Sequence, residues 1–291
     1  MKPLLISASF VMACVANTDR QISWWYNLGS DELNGNNLKT ITAHKNVFSR
    51  VMPFFGYAGL ELDGNLTHWW EIGDEAVKKW NAPLQELQIP VLPYIIDIDN
   101  STQMHIIMAN STAWIEDAVA IAKHNNFQGW FIDYEDEYPP DNTENNTENL
   151  AKFLNEFGDA LHAEKMELTI CVAAWSNLLA DYATLSSSSV DEIQNMQTYD
   201  MNTTEAYQPF IDDYLVKTND TTKAGLGLGV YYDGNNYPRA WNETTARGIV
   251  DYFAKAGGLK LDVFRLNMDG TNDWPSDNFW WSVFEDFLKA D

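Results

Sequence analysis

The sequence predicts an α/β protein folded as a single (β/α)8 TIM barrel without a large inserted domain. Three observations carry that expectation. Eight short β-rich apolar runs recur along the chain, and amphipathic helical stretches separate them. The length of 291 residues suits one barrel of about 250 residues with little left over. The runs are Ile22–Leu28, Val47–Tyr57, Val91–Ile98, Gly129–Glu135, Leu168–Trp175, Ile193–Tyr199, Ala224–Tyr232 and Val263–Met268. Between them lie segments such as Asp74–Leu87, Ala113–His124, Thr147–Glu164 and Thr244–Ala256, with apolar residues at helical spacing. Strands alternating with helices form βαβ units and a parallel sheet. A doubly wound open sheet has the same local pattern, and it is the number of units that favours closure.

No Pro/Gly/Ser linker divides the chain. Ser186–Ser189 and the Asn/Glu-rich stretch Asp141–Asn149 are short enough to be loops. The connection between the seventh and eighth runs is about one helix long, and no internal repeat is evident. Residues 17–291 are therefore expected to form one domain.

The N-terminus sets the compartment. Met1-Lys2 precedes an apolar run through Leu4, Leu5, Ile6, Phe10, Val11 and Met12 that ends in small residues at Cys14, Val15 and Ala16. A basic start, a short apolar core and a small-residue end describe a secretory signal peptide over residues 1–16. The run is too short to span a bilayer. The mature chain is expected to be secreted or held in a lysosomal or vacuolar lumen. Asn-x-Ser/Thr glycosylation acceptors at Asn65, Asn100, Asn110, Asn145, Asn202, Asn219 and Asn242 agree with that route. Cys14 leaves with the signal peptide, and Cys171 in an apolar run reads as a buried structural thiol.

Charge and composition narrow the partners. The formal charge of −24 becomes −25 when Lys2 is removed. Such a surface repels nucleic acid and anionic membranes, so neither is expected as a partner. It accommodates a neutral or cationic ligand, or an acidic compartment. The 12 Trp and 13 Tyr supply rings of the kind on which pyranose faces stack, as well as rings for a core. The five histidines, at 44, 68, 105, 124 and 162, form no metal-binding pair. No metal and no cofactor are expected.

The chemistry concentrates at the fourth run, Gly129-Trp-Phe-Ile-Asp133-Tyr-Glu135-Asp-Glu137. Alternation along a strand puts Phe131, Asp133, Glu135 and Glu137 on one face. Carboxylates facing a barrel interior are costly, but at the C-terminal end of a strand they open into the active-site mouth. Like charges at short range raise at least one pKa and keep one carboxyl protonated near neutrality. An acidic loop following a buried strand reads the same way, and Asp136, Glu144 and Glu148 fit that description.

Gly129-Trp-Phe-Ile-Asp133-Tyr-Glu135 resembles the strand-four signature of glycoside hydrolase family 18, the chitinases, chitobiases and related endo-N-acetylglucosaminidases. That signature reads Asp-Gly-x-Asp-x-Asp-x-Glu, and Gly129, Asp133 and Glu135 match it, with Gln128 and Phe131 at the first two Asp positions. The same wording also resembles family 85 endo-β-N-acetylglucosaminidases, which carry Asn at the place of Asp133. Met196-Gln-Thr-Tyr199-Asp200 is similar to the family 18 Met-x-Tyr-Asp strand with its Met displaced by one. Leu168–Trp175 and Gly225–Tyr231 resemble strands five and seven.

The resemblance implies a retaining, substrate-assisted hydrolase of β-linked N-acetylglucosamine, acting on chitooligosaccharides or the N-glycan core. It implies Glu135 as the acid and then the base, and Asp133 as the acceptor of the acetamido N–H. Tyr199 becomes the donor to the acetamido oxygen, and Asp200 assists Asp133, which lacks the neighbouring Asp that family 18 carries where Phe131 stands. Shifted by two residues, the register would make Glu137 the acid. Trp24, Trp25, Tyr57, Tyr94, Trp175 and Tyr231 lie near strand ends as candidate sugar platforms, with Asn27 and Asn267 as polar contacts. Phe264-Arg-Leu-Asn267 stands where family 18 carries its strand-eight Trp. The alternatives are a barrel that holds glycans without cutting them, and a hydrolase of another sugar using an ordinary acid–nucleophile pair. In each case the partner is an oligosaccharide; the oligomeric state is not set by the sequence.

Overall fold

The computed structural model describes residues 20–58, 67–68, 73–96, 111–134, 146–172, 181–196, 203–230, 241–266 and 278–290. Ten strands form one sheet: β1 Gln21–Asn27, β2 Arg50–Phe54, β3 Tyr57–Ala58, β4 Thr67–His68, β5 Tyr94–Ile96, β6 Gly129–Tyr134, β7 Glu167–Val172, β8 Glu192–Asn195, β9 Ala224–Gly229 and β10 Lys260–Leu266. Their spatial order is β2-β1-β10-β9-β8-β7-β6-β5-β3-β4. All pairings are parallel except that of β4 on β3. Val51 of β2 bridges in parallel to Val91, with Leu92 N donating to Val51 O at 2.9 Å. That contact brings β2 against the start of the next stave and nearly closes the barrel.

The second predicted strand, Val47–Tyr57, is one barrel stave in two pieces. Residues Lys45–Val47 form a 3-10 turn. Gly56 at φ 81° then kinks the chain between β2 and β3, a conformation for which glycine carries no steric penalty. The third stave starts as a single bridge at Val91 and becomes a strand only at Tyr94. Pro90 and Pro93 lack the N–H groups that a regular ladder needs. With β2 and β3 counted as one, eight parallel staves match the eight predicted runs.

Eight α-helices are found among the described residues: α1 Asp31–Ala43, α2 Asp74–Glu86, α3 Ser111–Asn125, α4 Asn146–Ala163, α5 Tyr182–Ser186, α6 Thr204–Thr218, α7 Glu243–Lys255 and α8 Phe279–Lys289. Each follows one stave, as the βαβ pattern requires. Side-chain caps start several of them. Ser30 accepts from Leu33 N, Asp181 from Thr184 N, Asn242 from Thr245 N and Asn278 from Trp280 N. Each cap satisfies a backbone donor that the first helical turn cannot.

Two apolar layers result from strand alternation. The larger lies between staves and helices, and the smaller fills the barrel axis with Trp25, Met52, Phe54, Leu92, Tyr94, Phe131, Cys171 and Met196. Adjacent Trp24 and Trp25 belong to different layers. Trp24 stacks on Phe48 at 4.5 Å, meets Phe284 edge-on at 5.1 Å, and donates its indole N–H to Val47 O at 2.9 Å. Trp24→Ala is expected to cost about 3–5 kcal/mol, seen as a lower urea midpoint. Once corrected for the folded fraction, ligand affinity is expected to be unchanged. A selective loss of affinity would place Trp24 in the site instead.

The floor of the barrel is polar. Arg50, Glu192, Asp262 and Ser23 are all buried there. Arg50 pairs with Glu192 through one guanidinium nitrogen, with Glu167 at 2.7 Å through another, and donates its Nε to Ser23 Oγ at 2.7 Å. Lys260 Nζ lies 3.8 Å from Glu192. A Cβ at Gly225 would come within 2.4 Å of oxygens on both Asp262 and Glu192, so any side chain there would displace one or both carboxylates.

Candidate functional site

The C-terminal ends of the staves carry the candidate site, because there the inward side chains face an open mouth rather than a filled axis. Asp133 is the next-to-last residue of β6 and is 8 % exposed. Register pairs it with Ile96 on β5 and Cys171 on β7. The Cys171 thiol donates to Asp133 Oδ1 at 2.8 Å. One layer deeper, Phe131 meets Trp25 edge-on at 4.5 Å.

Tyr94 on β5 completes this wall. Its ring stacks on Phe54 at 4.9 Å, and its hydroxyl donates to Asn27 Oδ1. Burial pushes the Tyr94 phenol well above its ordinary range. The Asp133 charge adds to that rise, and the Arg265 charge pulls against it. Asp133, Cys171 and Arg265 are thus all within electrostatic reach of the Tyr94 hydroxyl. Arg265 is itself buried at the end of β10, with its guanidinium carbon 4.9 Å from the Phe264 ring centre.

Trp25 closes the axis below the mouth. Its indole N–H donates to Gln194 Oε1 on β8 at 3.0 Å, although β10 and β9 lie between β1 and β8 in the sheet. On the inward register, β9 presents Gly225 and Gly227 alongside Gln194 and Asp262. Positions without side chains leave room for an indole to cross.

The structure brings Asp133, Trp25, Tyr94 and Asn27 together. It does not bring Trp24 or Tyr57 to them. Tyr57 points to the outer layer, edge-on to Trp130 at 4.9 Å, as Trp24 does. Glu135, Glu137, Tyr199, Asp200, Trp175, Tyr231 and Asn267 lie outside the described residues. So do the acceptors Asn65, Asn100, Asn110, Asn145 and Asn202. The remaining two, Asn219 and Asn242, are both exposed. Asn242 caps α7 through its amide oxygen, which leaves the amide nitrogen to carry a glycan.

Three residues at this site escape a reading of the sequence for sites. Cys171 reads as a structural thiol because its register against Asp133 is invisible in one dimension. Gln194 and Arg265 carry a detectable signal, a long polar side chain next to an apolar residue near the C-terminal end of its strand. Among the described residues, no group of three His, Cys, Asp or Glu side chains is placed to hold a metal ion, and no helix is long and apolar enough to cross a membrane.

Residues 89–185, which include β5, β6 and β7 and end within α5, match the model of glycosyl hydrolase family 85. Among curated proteins, none matches the sequence. Solved structures match the fold over nearly the whole chain. The catalytic domain 2 of a Group II chitinase from Ostrinia furnacalis has a TM-score of 0.70 at 13% identity, covering 94% of this chain and 97% of that one. The class V chitinase of Nicotiana tobaccum has a TM-score of 0.70 at 15% identity, covering 91% and 99%. The spore cortex-lytic enzyme SleL of Bacillus megaterium has a TM-score of 0.69 at 13% identity, covering 93% and 74%. By sequence through its middle third, and by fold over nine-tenths of its length, the chain is similar to glycosyl hydrolase family 85 and to the barrels of chitinases.

Proposed function

We propose that the chain is a glycosidase acting on β-linked N-acetylglucosamine glycans, by a retaining mechanism in which the substrate's own acetamido group is the nucleophile. The observation that carries this reading is the placement of Asp133. It is a nearly buried carboxylate at the mouth end of β6, with one oxygen engaged by a donor and set two residues before Glu135. The family 85 match covers this segment, and solved structures of the same fold hold N-acetylglucosamine oligomers.

In this mechanism Glu135 gives its proton to the glycosidic oxygen as the bond to the anomeric carbon breaks. The acetamido carbonyl oxygen attacks that carbon from the opposite side, forming an oxazolinium ion. Asp133, assisted by Asp200, accepts the acetamido N–H and balances the positive charge, while Tyr199 donates to the carbonyl oxygen. Water then attacks the anomeric carbon, Glu135 takes its proton, and the ring opens to the retained product. Trp25 and Tyr94 contribute the apolar wall beneath the sugar. Residues 1–16 direct the protein into the secretory route as a signal peptide, and Asn219 and Asn242 carry glycans there.

Purified protein is expected to cleave either labelled chitooligosaccharides or a high-mannose glycopeptide, and to leave cellooligosaccharides, which lack the acetamido group, intact. Cleavage of the cellooligosaccharide would sink the substrate-assisted mechanism. Binding of the acetamido sugars without turnover would establish a glycan-holding barrel in place of an enzyme.

A further inference from the structure

We infer that Cys171 is the positioning residue for Asp133: its thiol fixes one carboxylate oxygen so that the other is presented to the acetamido N–H. The inference rests on the glycosidase reading above and specifies how its central carboxylate is held. Asp133 and Cys171 are directly paired across β6 and β7, and the sulfur lies 2.8 Å from Oδ1. Cys171 is fully buried, so water does not compete for its single proton.

The neighbouring groups give the thiol its importance. Phe131, the inward residue below Asp133 on the same strand, is an apolar ring packed against Trp25 and cannot donate. Tyr94 has one hydroxyl proton, and that proton is directed to Asn27. Arg265, near the end of β10, adds positive charge to the same wall through its effect on the Tyr94 hydroxyl. The thiol engages Oδ1 specifically. A carboxylate oriented through one oxygen loses little further freedom when its other oxygen meets a substrate donor, which is the value of a pre-set site. Donation to the charged form also favours ionisation of Asp133, the state that balances an oxazolinium ion.

Cys171→Val removes the donor at nearly constant volume, and Cys171→Ser keeps a donor on a shorter arm. Both are compared with wild type on whichever acetamido substrate wild type cleaves. Cys171→Val is expected to lower kcat about 10- to 100-fold, the size of a hydrogen bond to a charged group, with KM within about twofold. Its kcat/KM profile is expected to lose activity at a pH higher by about one unit, because Asp133 is then more easily protonated. Cys171→Ser should recover kcat to within about threefold of wild type and restore the acid limb. Cys171→Ala makes the same test if valine is not accommodated, and thermal melts establish that each variant is folded.

A folded Val or Ala variant with unchanged kcat and acid limb overturns the inference, as does a Ser variant as slow as the Val variant. Asp133→Ala, which removes the acceptor that an Asn would keep, separates this failure from failure of the function. If Asp133→Ala is fully active, or wild type cleaves neither substrate, the glycosidase reading falls and takes this inference with it. If Asp133→Ala is impaired while Cys171→Val is not, only the role of the thiol is lost.

Discussion

Glu135→Gln is expected to lower kcat by roughly 10²- to 10⁴-fold, the range for loss of a general acid, with KM changed no more than a few-fold. The amide keeps the size and the hydrogen-bonding reach of the acid, so substrate still binds. What it lacks is a proton to give the leaving oxygen. The deficit should therefore depend on the leaving group. An aryl glycoside with an acidic phenol needs little protonation and should recover much of the lost rate, whereas a sugar leaving group should not. Glu137→Gln is the control for register, since Asp133, Glu135 and Glu137 alternate onto one face as long as extension lasts. It should change kcat less than about threefold, the effect of a surface charge near a site. Activity that survives Glu135→Gln and is lost in Glu137→Gln would move the acid by two residues and make Glu135 the residue that flanks it. Measuring both variants on both leaving groups separates loss of proton donation from loss of binding.

Eight apolar runs and their helical spacers were enough to specify the barrel, because parallel staves buried on both faces must read as continuous β-rich segments. What the pattern could not convey is which face of each stave points inward. Trp24 and Trp25 are consecutive, equally apolar and equally buried. Only the pairing of Trp25 with Met52, and of Trp24 with Val51, sends one to the axis and the other to the helices. The same ambiguity covers Tyr57. Helix α1 is hard to read for a different reason. Asn34, Gly35, Asn36 and Asn37 are poor helix formers, and the helix is held by the Ser30 cap and by burial of Leu33 and Ile41. Tertiary packing overrides propensity there.

At the site, local spacing made Asp133 legible and nothing local could reveal its partner. Cys171 is 38 residues away in sequence and becomes a neighbour only through strand register. The barrel floor is the extreme case. Arg50 and Glu192 are 142 residues apart; one is a lone charge within an apolar run and the other stands just before one, and neither position names its partner. Polar residues at strand starts also hid the true beginning of β10, which opens at Lys260 with Asp262 inward, three residues before the predicted Val263. A rule that treats charge as solvent-facing fails wherever charges are buried as compensated sets.

That compensated set makes Arg50→Met as damaging to the fold as Trp24→Ala, costing about 3–5 kcal/mol near neutral pH, the usual penalty for breaking a buried ion pair. The loss should be smaller at pH 5, and the sign follows from Asp262. Burial lifts its carboxyl to about 7 against the pull of Arg50, whereas the unfolded chain titrates it near 4. Between those values the folded state binds more protons than the unfolded one, so stability falls as pH rises through that window. Lys260 does not offset this fall. Burial first, then the Arg50 charge, depress it to about 8, so its contribution changes only above that pH, where stability rises towards the ordinary lysine range. Wild type should therefore be more stable at pH 5 than at pH 7.5, by on the order of 2 kcal/mol. Asp262→Asn should flatten the dependence, which distinguishes this group from the general self-repulsion of a chain carrying a formal charge of −24. Without Arg50, Lys260 is the cation left beside these carboxylates, and proton uptake by Asp262 grows more costly with every unit of rising pH. Urea unfolding of wild type, Asp262→Asn and Arg50→Met at the two pH values measures all three effects. A wild-type midpoint that rises from pH 5 to 7.5, or an Asp262→Asn protein with an undiminished slope, would show that the floor is not the titrating element. The expected result ties stability to acidity through a layer at the opposite end of the barrel from Asp133, so pH can weaken the scaffold without touching the site.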